Sequence, residues 1–309
     1  MDINLPVRLT HRTMSTFLNQ ILSDKGEPLY DSYNFNFCTL RKFIEPVGVT
    51  FLHNVVRWLL SKDIPVTFTY DEDPAILRNM LEPQRFLDDC GFFEMYLDGR
   101  IYEGSSIRNT TVPLQDVAMD KFPQWLDVKF IPWFANAISK TPQEVGTFEA
   151  CLEEIFNNVI DHAKENSSCV FAQHFPQTDS VIISIADMGI GIIEHIRSKE
   201  KYAHFTDEEA LRNAVKKKFT TQSTPKNRGA GLDTLVYNVV KNAGGTVYIY
   251  SNKGILISTE EQGEMVQRYQ AADHYYPGTH IEIHMDVKKA NKYDFFDVEE
   301  EEFSWTEDY

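Results

Sequence analysis

The chain has 309 residues, a formal net charge of −16 and 25% charged residues, which suits two folded domains. Its acidity disfavours binding to a nucleic-acid backbone, because such binding needs clustered lysine and arginine. It has no apolar run of roughly 20 residues, no signal peptide and only four scattered cysteines, so we expect a cytoplasmic protein without a membrane partner.

The first 130 residues alternate strand-like and helix-like runs. The predicted elements are a strand at 34–40, an amphipathic helix at 49–61, a strand at 64–70, and two short helices at 74–81 and 83–90. Units of this kind stack helices against a sheet. We therefore predict a small α/β domain at residues 1–130, with the boundary in a mixed connecting region.

The pattern changes from Thr147 onward. A long helix at 147–164 precedes strands at 168–174 and 180–186, a helix at 231–242, and strands at 246–251, 255–258 and 280–285. This order predicts an α+β sandwich at residues 131–286, with helices on one face of a mixed sheet. Residues 287–309 form an acidic tail with interleaved aromatic residues.

The long helix carries a polar row opposite its apolar stripe. Glu154, Asn158 and His162 are each four residues apart, and Asp161 lies beside them. A solvated helix face explains such a row. The alternative is a carboxylate that activates water, next to an amide oxygen that binds Mg²⁺.

A buried strand ends at Asp187 and enters a turn that contains Gly189 and Gly191. A Rossmann turn is excluded, since Glu194 stands where a third glycine is required. A plain strand-to-loop turn remains one interpretation. In the other, the Asp187 carboxylate accepts a hydrogen bond from an exocyclic amine such as that of adenine, and the glycines let the backbone approach the base.

A second glycine-rich segment, Gly229-Ala230-Gly231-Leu232, leads directly into a helix. Backbone N–H groups at such a position can bind an anion, and Lys226 and Arg228 add positive charge. No P-loop motif occurs in the chain. An ordinary turn before a helix is the alternative, and Gly278-Thr279 before the last strand is weak evidence when taken alone.

The four elements occur in this order between Thr147 and Met285. Their order and spacing resemble the superfamily of gyrase, heat-shock chaperones, histidine kinases and MutL (GHKL), whose nucleotide site is the Bergerat fold. The resemblance implies that ATP and Mg²⁺ bind, with Asn158 as the magnesium ligand, Asp187 at the adenine and Thr279 supporting that contact. Glu154 stands where hydrolysing members keep their general base. The other implied nucleotide-binding residues are Asp161, His162, Gly189, Gly191, Lys226, Arg228, Gly229, Ala230, Gly231 and Leu232.

Residues 31–91 resemble a STAS-type domain, the fold of anti-sigma-factor antagonists, although Pro46 and Val47 occupy the loop that carries a phosphorylated serine in that family. We expect no conventional sensor histidine kinase, because no histidine-bearing helix pair precedes the ATP-binding domain. The expected function is a regulatory ATPase or an anti-sigma-type protein kinase in intracellular signalling. The alternative is a non-catalytic, ATP-gated interaction module. In either case, unidentified protein partners would bind the STAS-like domain or the acidic tail, and a homodimer is left open.

Overall fold

The computed structural model describes residues 1–71, 82–146, 148–153, 156, 167–216 and 231–292. Within residues 1–110, which we call the amino-terminal half, the helices and strands are β1 (Asp2–Asn4), β2 (Arg8–Leu9), α1 (Met14–Leu18), β3 (Tyr33–Asn36), β4 (Phe43–Ile44), α2 (Pro46–Ser61), β5 (Val66–Thr69) and α3 (Glu82–Asp89). Strands β1, β3 and β5 form a parallel sheet. The predicted helix at 74–81 lies outside the described residues, and the other predicted elements of this half are found with shifted ends.

The second half contains β6 (Thr111–Ala118), α4 (Phe122–Trp125), α5 (Ile131–Ala137), β7 (Ser167–Phe175), β8 (Ser180–Ala186), α6 (Gly191–Arg197), α7 (Asp207–Ala214), α8 (Gly231–Tyr237), β9 (Thr246–Glu261), β10 (Glu264–Asp286) and α9 (Val287–Lys292). Residues 148–153 and 156 of the predicted long helix are helical. π-Helical turns follow α4 (Leu126–Phe130) and α8 (Asn238–Asn242). Helix α9 occupies the start of the predicted tail, and residues 293–309 lie outside the described part.

The second half is built on a five-stranded sheet with the order β6-β7-β8-β10-β9. The prediction of a mixed sheet is wrong for the described strands, since all four pairings are antiparallel. The reason is the connection between the last two strands. They form one long hairpin, and its second arm inserts beside β8.

The two faces of this sheet contact different parts of the chain. Because side chains alternate along a strand, Ile281 and Ile283 of β10 pack into one core with α6, α7 and α8. The opposite face carries Phe171, Tyr250 and Tyr276, which pack into a second core with the amino-terminal half. Helix α2 contacts β7 and β8 on that face. Both faces of the sheet are therefore covered.

The five-stranded sheet begins before the predicted boundary at residue 130. Strand β6 pairs with β7 from Thr111 to Ala118, and Phe122 and Phe130 pack into the core shared with α6 to α8. Sequence alone does not indicate this, because β6 is separated from β7 by more than 40 residues, most of them helical or outside the described part.

A hydrogen-bonded polar cluster joins the two halves across the sheet. Thr50 Oγ1 of α2 lies 2.6 Å from Ser184 Oγ and 3.1 Å from His280 Nε2, and Ser184 Oγ lies 2.8 Å from His280 Nε2. All three side chains are buried. Burial lowers the pKa of His280 to about 3, so the imidazole is neutral at physiological pH.

Acid is expected to destabilise the protein through His280. Below pH 6.5 the unfolded chain binds a proton at this histidine, whereas the folded chain does so only near pH 3, so stability is lost as the pH falls between these values. Between pH 7 and pH ~4.5, the unfolding free energy of the parent should fall by about 2 kcal/mol more than that of His280→Gln. Urea unfolding at both pH values measures this, and parallel pH profiles for the two proteins would contradict it.

Among the residues described here, no helix is long and apolar enough to cross a membrane.

Candidate functional site

The aspartate that we predict to bind adenine, Asp187, lies at the end of strand β8, which pairs with β10. Asp187 is buried, and its carboxylate accepts hydrogen bonds from the backbone N–H of Gly189 (2.5 Å) and of Thr279 (3.0 Å). Its own N–H donates to the Thr279 carbonyl at 2.9 Å. The structure thus brings Asp187, Gly189 and Thr279 together, as the sequence predicts.

The Asp187 carboxyl has an unusual protonation equilibrium. Burial raises its pKa to about 7, against the lowering effect of the two backbone hydrogen bonds. Within the described residues, no cation forms an ion pair with it. Carboxyl groups whose pKa is raised by burial in this way cluster at functional sites.

The turn at residues 187–191, which we call the Asp187 turn, packs closely against β10. One glycine in the turn and one in β10 allow this packing. Gly191 has φ +77°, and a Cβ there would lie 2.5 Å from both the Gly278 carbonyl and Ser251 Oγ. Gly278 has φ +103°, and a Cβ there would overlap the Asp187 carbonyl oxygen. These backbone conformations and contacts exclude larger residues.

Gly189 and Thr279 have roles that differ in part from the predicted ones. Gly189 has no positive φ, and its contribution is the N–H that it donates to Asp187. The Thr279 hydroxyl accepts a hydrogen bond from the Ile192 N–H at 2.9 Å, which attaches β10 to the start of α6. Its backbone N–H, rather than its side chain, contacts the Asp187 carboxylate.

The remaining predicted site residues belong to two segments. Those outside the described residues are Glu154, Asn158, Asp161, His162, Lys226, Arg228, Gly229 and Ala230. Gly231 and Leu232 open α8 as predicted. The Leu232 side chain packs into the core, so only its backbone is left for a ligand.

Two residues at the Asp187 turn were not predicted from the sequence. The Tyr276 hydroxyl donates to the Asp187 carbonyl oxygen at 2.9 Å and accepts from Asn54 Nδ2 of α2 at 3.1 Å. Both side chains are buried. The one sequence signal is Asn54 itself, a polar residue next to the apolar stripe of α2.

A cleft of about 580 Å³ opens between the two halves beside this contact. Asn54, Arg57 and Trp58 of α2 line one side, and residues 186–190 line the other. Its volume is within the range of small-molecule sites, which occur often between domains.

A separate cluster of His53, Asp116 and Cys169 has ligand atoms within 4.8 Å of one another. His53 is hydrogen-bonded through both ring nitrogens, to Asp116 Oδ1 and to the Tyr96 hydroxyl. The Arg57 guanidinium lies 2.6 Å from the same Asp116 oxygen. A guanidinium at this position competes with a metal ion, so we assign the cluster to contacts between the two halves.

Comparisons with known proteins found matches for part of the second half of the chain. A family model described as histidine kinase-, DNA gyrase B-, and HSP90-like ATPase matches residues 145–289. A crystal structure of the B-subunit of the DNA gyrase from Myxococcus xanthus is also matched, at 12% identity and a TM-score of 0.25. That match covers 46% of this chain but only 37% of the gyrase chain. No curated protein matches the chain.

All four sequence motifs, and the Asp187 turn with Thr279, fall inside the matched segment. Residues 145–289 of this chain are therefore a domain of the histidine kinase, DNA gyrase B and Hsp90-like (GHKL) ATPase superfamily.

Proposed function

We propose that the protein binds ATP with Mg²⁺ at the Asp187 turn and uses it as a regulatory ATPase or as a protein kinase of the anti-sigma-factor type. The observation that carries the proposal is the buried Asp187 carboxylate, held by two backbone N–H groups at the end of β8. Its position suits an acceptor for the exocyclic amine of adenine. The family match at residues 145–289 supports the same ligand.

The chain supplies residue types that fit the rest of the ligand. Asn158 would hold Mg²⁺ through its amide oxygen, which is a ligand type that this ion accepts. The backbone of Gly229 to Gly231 would hold the phosphates at the start of α8, with Lys226 and Arg228 adding positive charge. Bound Mg²⁺ would neutralise charge on the phosphates, while Glu154 would orient or deprotonate the nucleophile.

ATP binding is expected to depend on pH through Asp187. Its pKa in the free protein is about 7, and only the ionised carboxylate is a full acceptor for the adenine amine. The affinity for ATP should therefore be constant well above pH 7 and should fall by about tenfold per pH unit below it. Calorimetric titration between pH 5.5 and 8.5 measures this, with Asp187→Asn as the control. A profile for the parent as flat as that of the control would contradict the assignment.

A second candidate is a non-catalytic module in which ATP controls protein interactions. The observation that favours it is the contact of α2 with the sheet that carries Asp187. In this proposal the amino-terminal half is the STAS-like interaction domain, and its parallel sheet of β1, β3 and β5 supports that fold. The protein partner would bind this half or the acidic tail in the cytoplasm, and a homodimer is compatible with either function.

Turnover assays separate the two candidates. Purified protein is incubated with Mg²⁺ and labelled ATP, alone and with cell extract, and compared with Glu154→Ala and Asp187→Asn. The enzyme proposal expects phosphate release or a labelled protein, both lost in Glu154→Ala while that variant still binds ATP. Binding without turnover or transfer would exclude the enzyme and support the module.

A further inference from the structure

We infer that Tyr276 and Asn54 are positioning residues of the nucleotide site, so that the amino-terminal half holds the Asp187 turn in its binding conformation. The inference rests on the proposed function, because it describes how ATP binding at that turn is controlled. It makes the contact between α2 and the turn part of the site itself.

The first step is the geometry of Tyr276. Its hydroxyl donates to the carbonyl oxygen of Asp187 at 2.9 Å. The backbone N–H of Asp187 in turn donates to the carbonyl oxygen of Thr279 at 2.9 Å. The register of β10 against β9 shifts between Tyr276 and Thr279, at the Pro277-Gly278 step. This irregularity lets both residues reach Asp187, so the peptide groups on each side of its side chain are fixed from β10.

The second step is the dependence of Tyr276 on α2. Asn54 Nδ2 donates to the Tyr276 hydroxyl at 3.1 Å, and the Phe51 ring lies 4.5 Å from the tyrosine ring between centroids. Tyr276 is fully buried, and burial keeps the pKa of its hydroxyl well above the ordinary value. The hydroxyl therefore stays a donor to Asp187, and Asn54 supplies its matching donor.

The consequence is thermodynamic coupling between nucleotide and domain contact. If α2 stabilises the binding form of the turn, then ATP must stabilise the contact of α2 to the same extent. Undocking of the amino-terminal half, for example by a protein partner, would lower the affinity for ATP. The effect should depend on the base, since Asp187 would contact adenine rather than the phosphates.

The test compares Tyr276→Phe and Asn54→Leu with Tyr250→Phe. Tyr250 is the matched control because it is a buried tyrosine of the same core and its ring also contacts Phe51. It lies on β9, which is separated by β10 from β8, the strand that ends before Asp187. Amide hydrogen exchange in the ATP-free proteins should become about tenfold faster at Gly189 and Thr279 in the first two variants. In Tyr250→Phe it should remain as in the parent.

Nucleotide titrations complete the test. Tyr276→Phe is expected to bind Mg·ATP about tenfold more weakly than the parent does. Its affinity for Mg·GTP, which is expected to be lower than that for Mg·ATP in both proteins, should equal that of the parent. Mg·ATP should slow amide exchange in α2 of the parent but not of Tyr276→Phe. The double variant Tyr276→Phe/Asn54→Leu should bind Mg·ATP as Tyr276→Phe does, because Asn54 acts only through the Tyr276 hydroxyl.

The outcomes separate this inference from the proposed function. If the parent binds no ATP, the proposed function fails, and the exchange rates at Gly189 and Thr279 still decide whether Tyr276 and Asn54 hold the turn. The inference is overturned if those rates are unchanged in Tyr276→Phe and Asn54→Leu. It is also overturned if Tyr250→Phe accelerates them equally, or if Tyr276→Phe weakens ATP and GTP to the same extent.

Discussion

Asp187→Asn is expected to weaken ATP binding by about 10- to 100-fold, because a hydrogen bond to a charged group contributes about 1.5–3 kcal/mol. An asparagine presents one oxygen and one NH₂ group, whereas both carboxylate oxygens of Asp187 accept backbone hydrogen bonds. One of the two backbone N–H groups would therefore face another donor, and the remaining oxygen would be a weaker acceptor for adenine. Calorimetric titration with Mg·ATP measures the loss.

The matched control is Asp179→Asn, at the opposite end of the same strand. Asp179 precedes β8, forms a salt bridge with the exposed Lys288 and has φ +49°, which asparagine tolerates. This variant should bind ATP as the parent does. If Asp187→Asn and Asp179→Asn bind ATP equally well, the nucleotide site is assigned to the wrong residue.

Gly278→Ala is expected to destabilise the protein by about 3 kcal/mol, since a left-handed conformation and a steric overlap both oppose a side chain. Gly278 has φ +103°, and its added Cβ would overlap the Asp187 carbonyl oxygen and lie 2.8 Å from Met188 Cα. Relief of that overlap must move β10 away from the Asp187 turn. We therefore expect ATP binding to be lost as well. Urea unfolding measures the loss of stability, and titration of the folded variant with Mg·ATP measures the loss of binding.

Gly263→Ala separates the two causes. Gly263 lies in the β9–β10 turn with φ +84°, and a Cβ there would meet nothing within 4 Å. Its substitution should cost only the conformational term, about 1 kcal/mol, and leave ATP binding intact. Equal destabilisation by the two substitutions would show that the contact of Gly278 with Asp187 contributes nothing.

The elements around Asp187 were predictable because their sequence signals are local. A mostly apolar run that stops at Asp187 predicted strand β8 with the observed ends, Ser180–Ala186. The start of α8 at Gly231 follows in the same way from the glycines before an apolar helical stripe. The grouping of Asp187, Gly189 and Thr279 in one site was implied only by the resemblance, and residues 145–289 match that family.

The long hairpin was not predictable from local signals. Asn252-Lys253-Gly254 has the composition of a turn, so two strands were expected where the structure has one, Thr246–Glu261. Asn252 takes φ +49° inside the strand, opposite the shifted register at Tyr276. Gly254 packs against Leu211 and Ile193, which belong to helices far away in sequence. A bulge and a turn share a local sequence, and the tertiary contacts decide between them.

The contact between the halves was missed for a related reason. Periodicity identifies the apolar side of α2, but it does not show which surface that side covers. The face of the sheet that receives α2 carries polar residues such as Ser184 and His280, which resemble solvent-facing positions when read along a strand. Only the assembled fold pairs Asn54 with Tyr276 and connects both with Asp187.

The most direct test of the central claim is amide hydrogen exchange of the parent protein with and without Mg·ATP. The concentration is about 1 mM, the upper end of the ordinary range of KM values. If ATP binds where we place it, exchange should slow at residues 187–192 and at Thr279, and GTP should protect these amides less. Unchanged exchange in these segments, with or without protection elsewhere in the chain, would contradict the account.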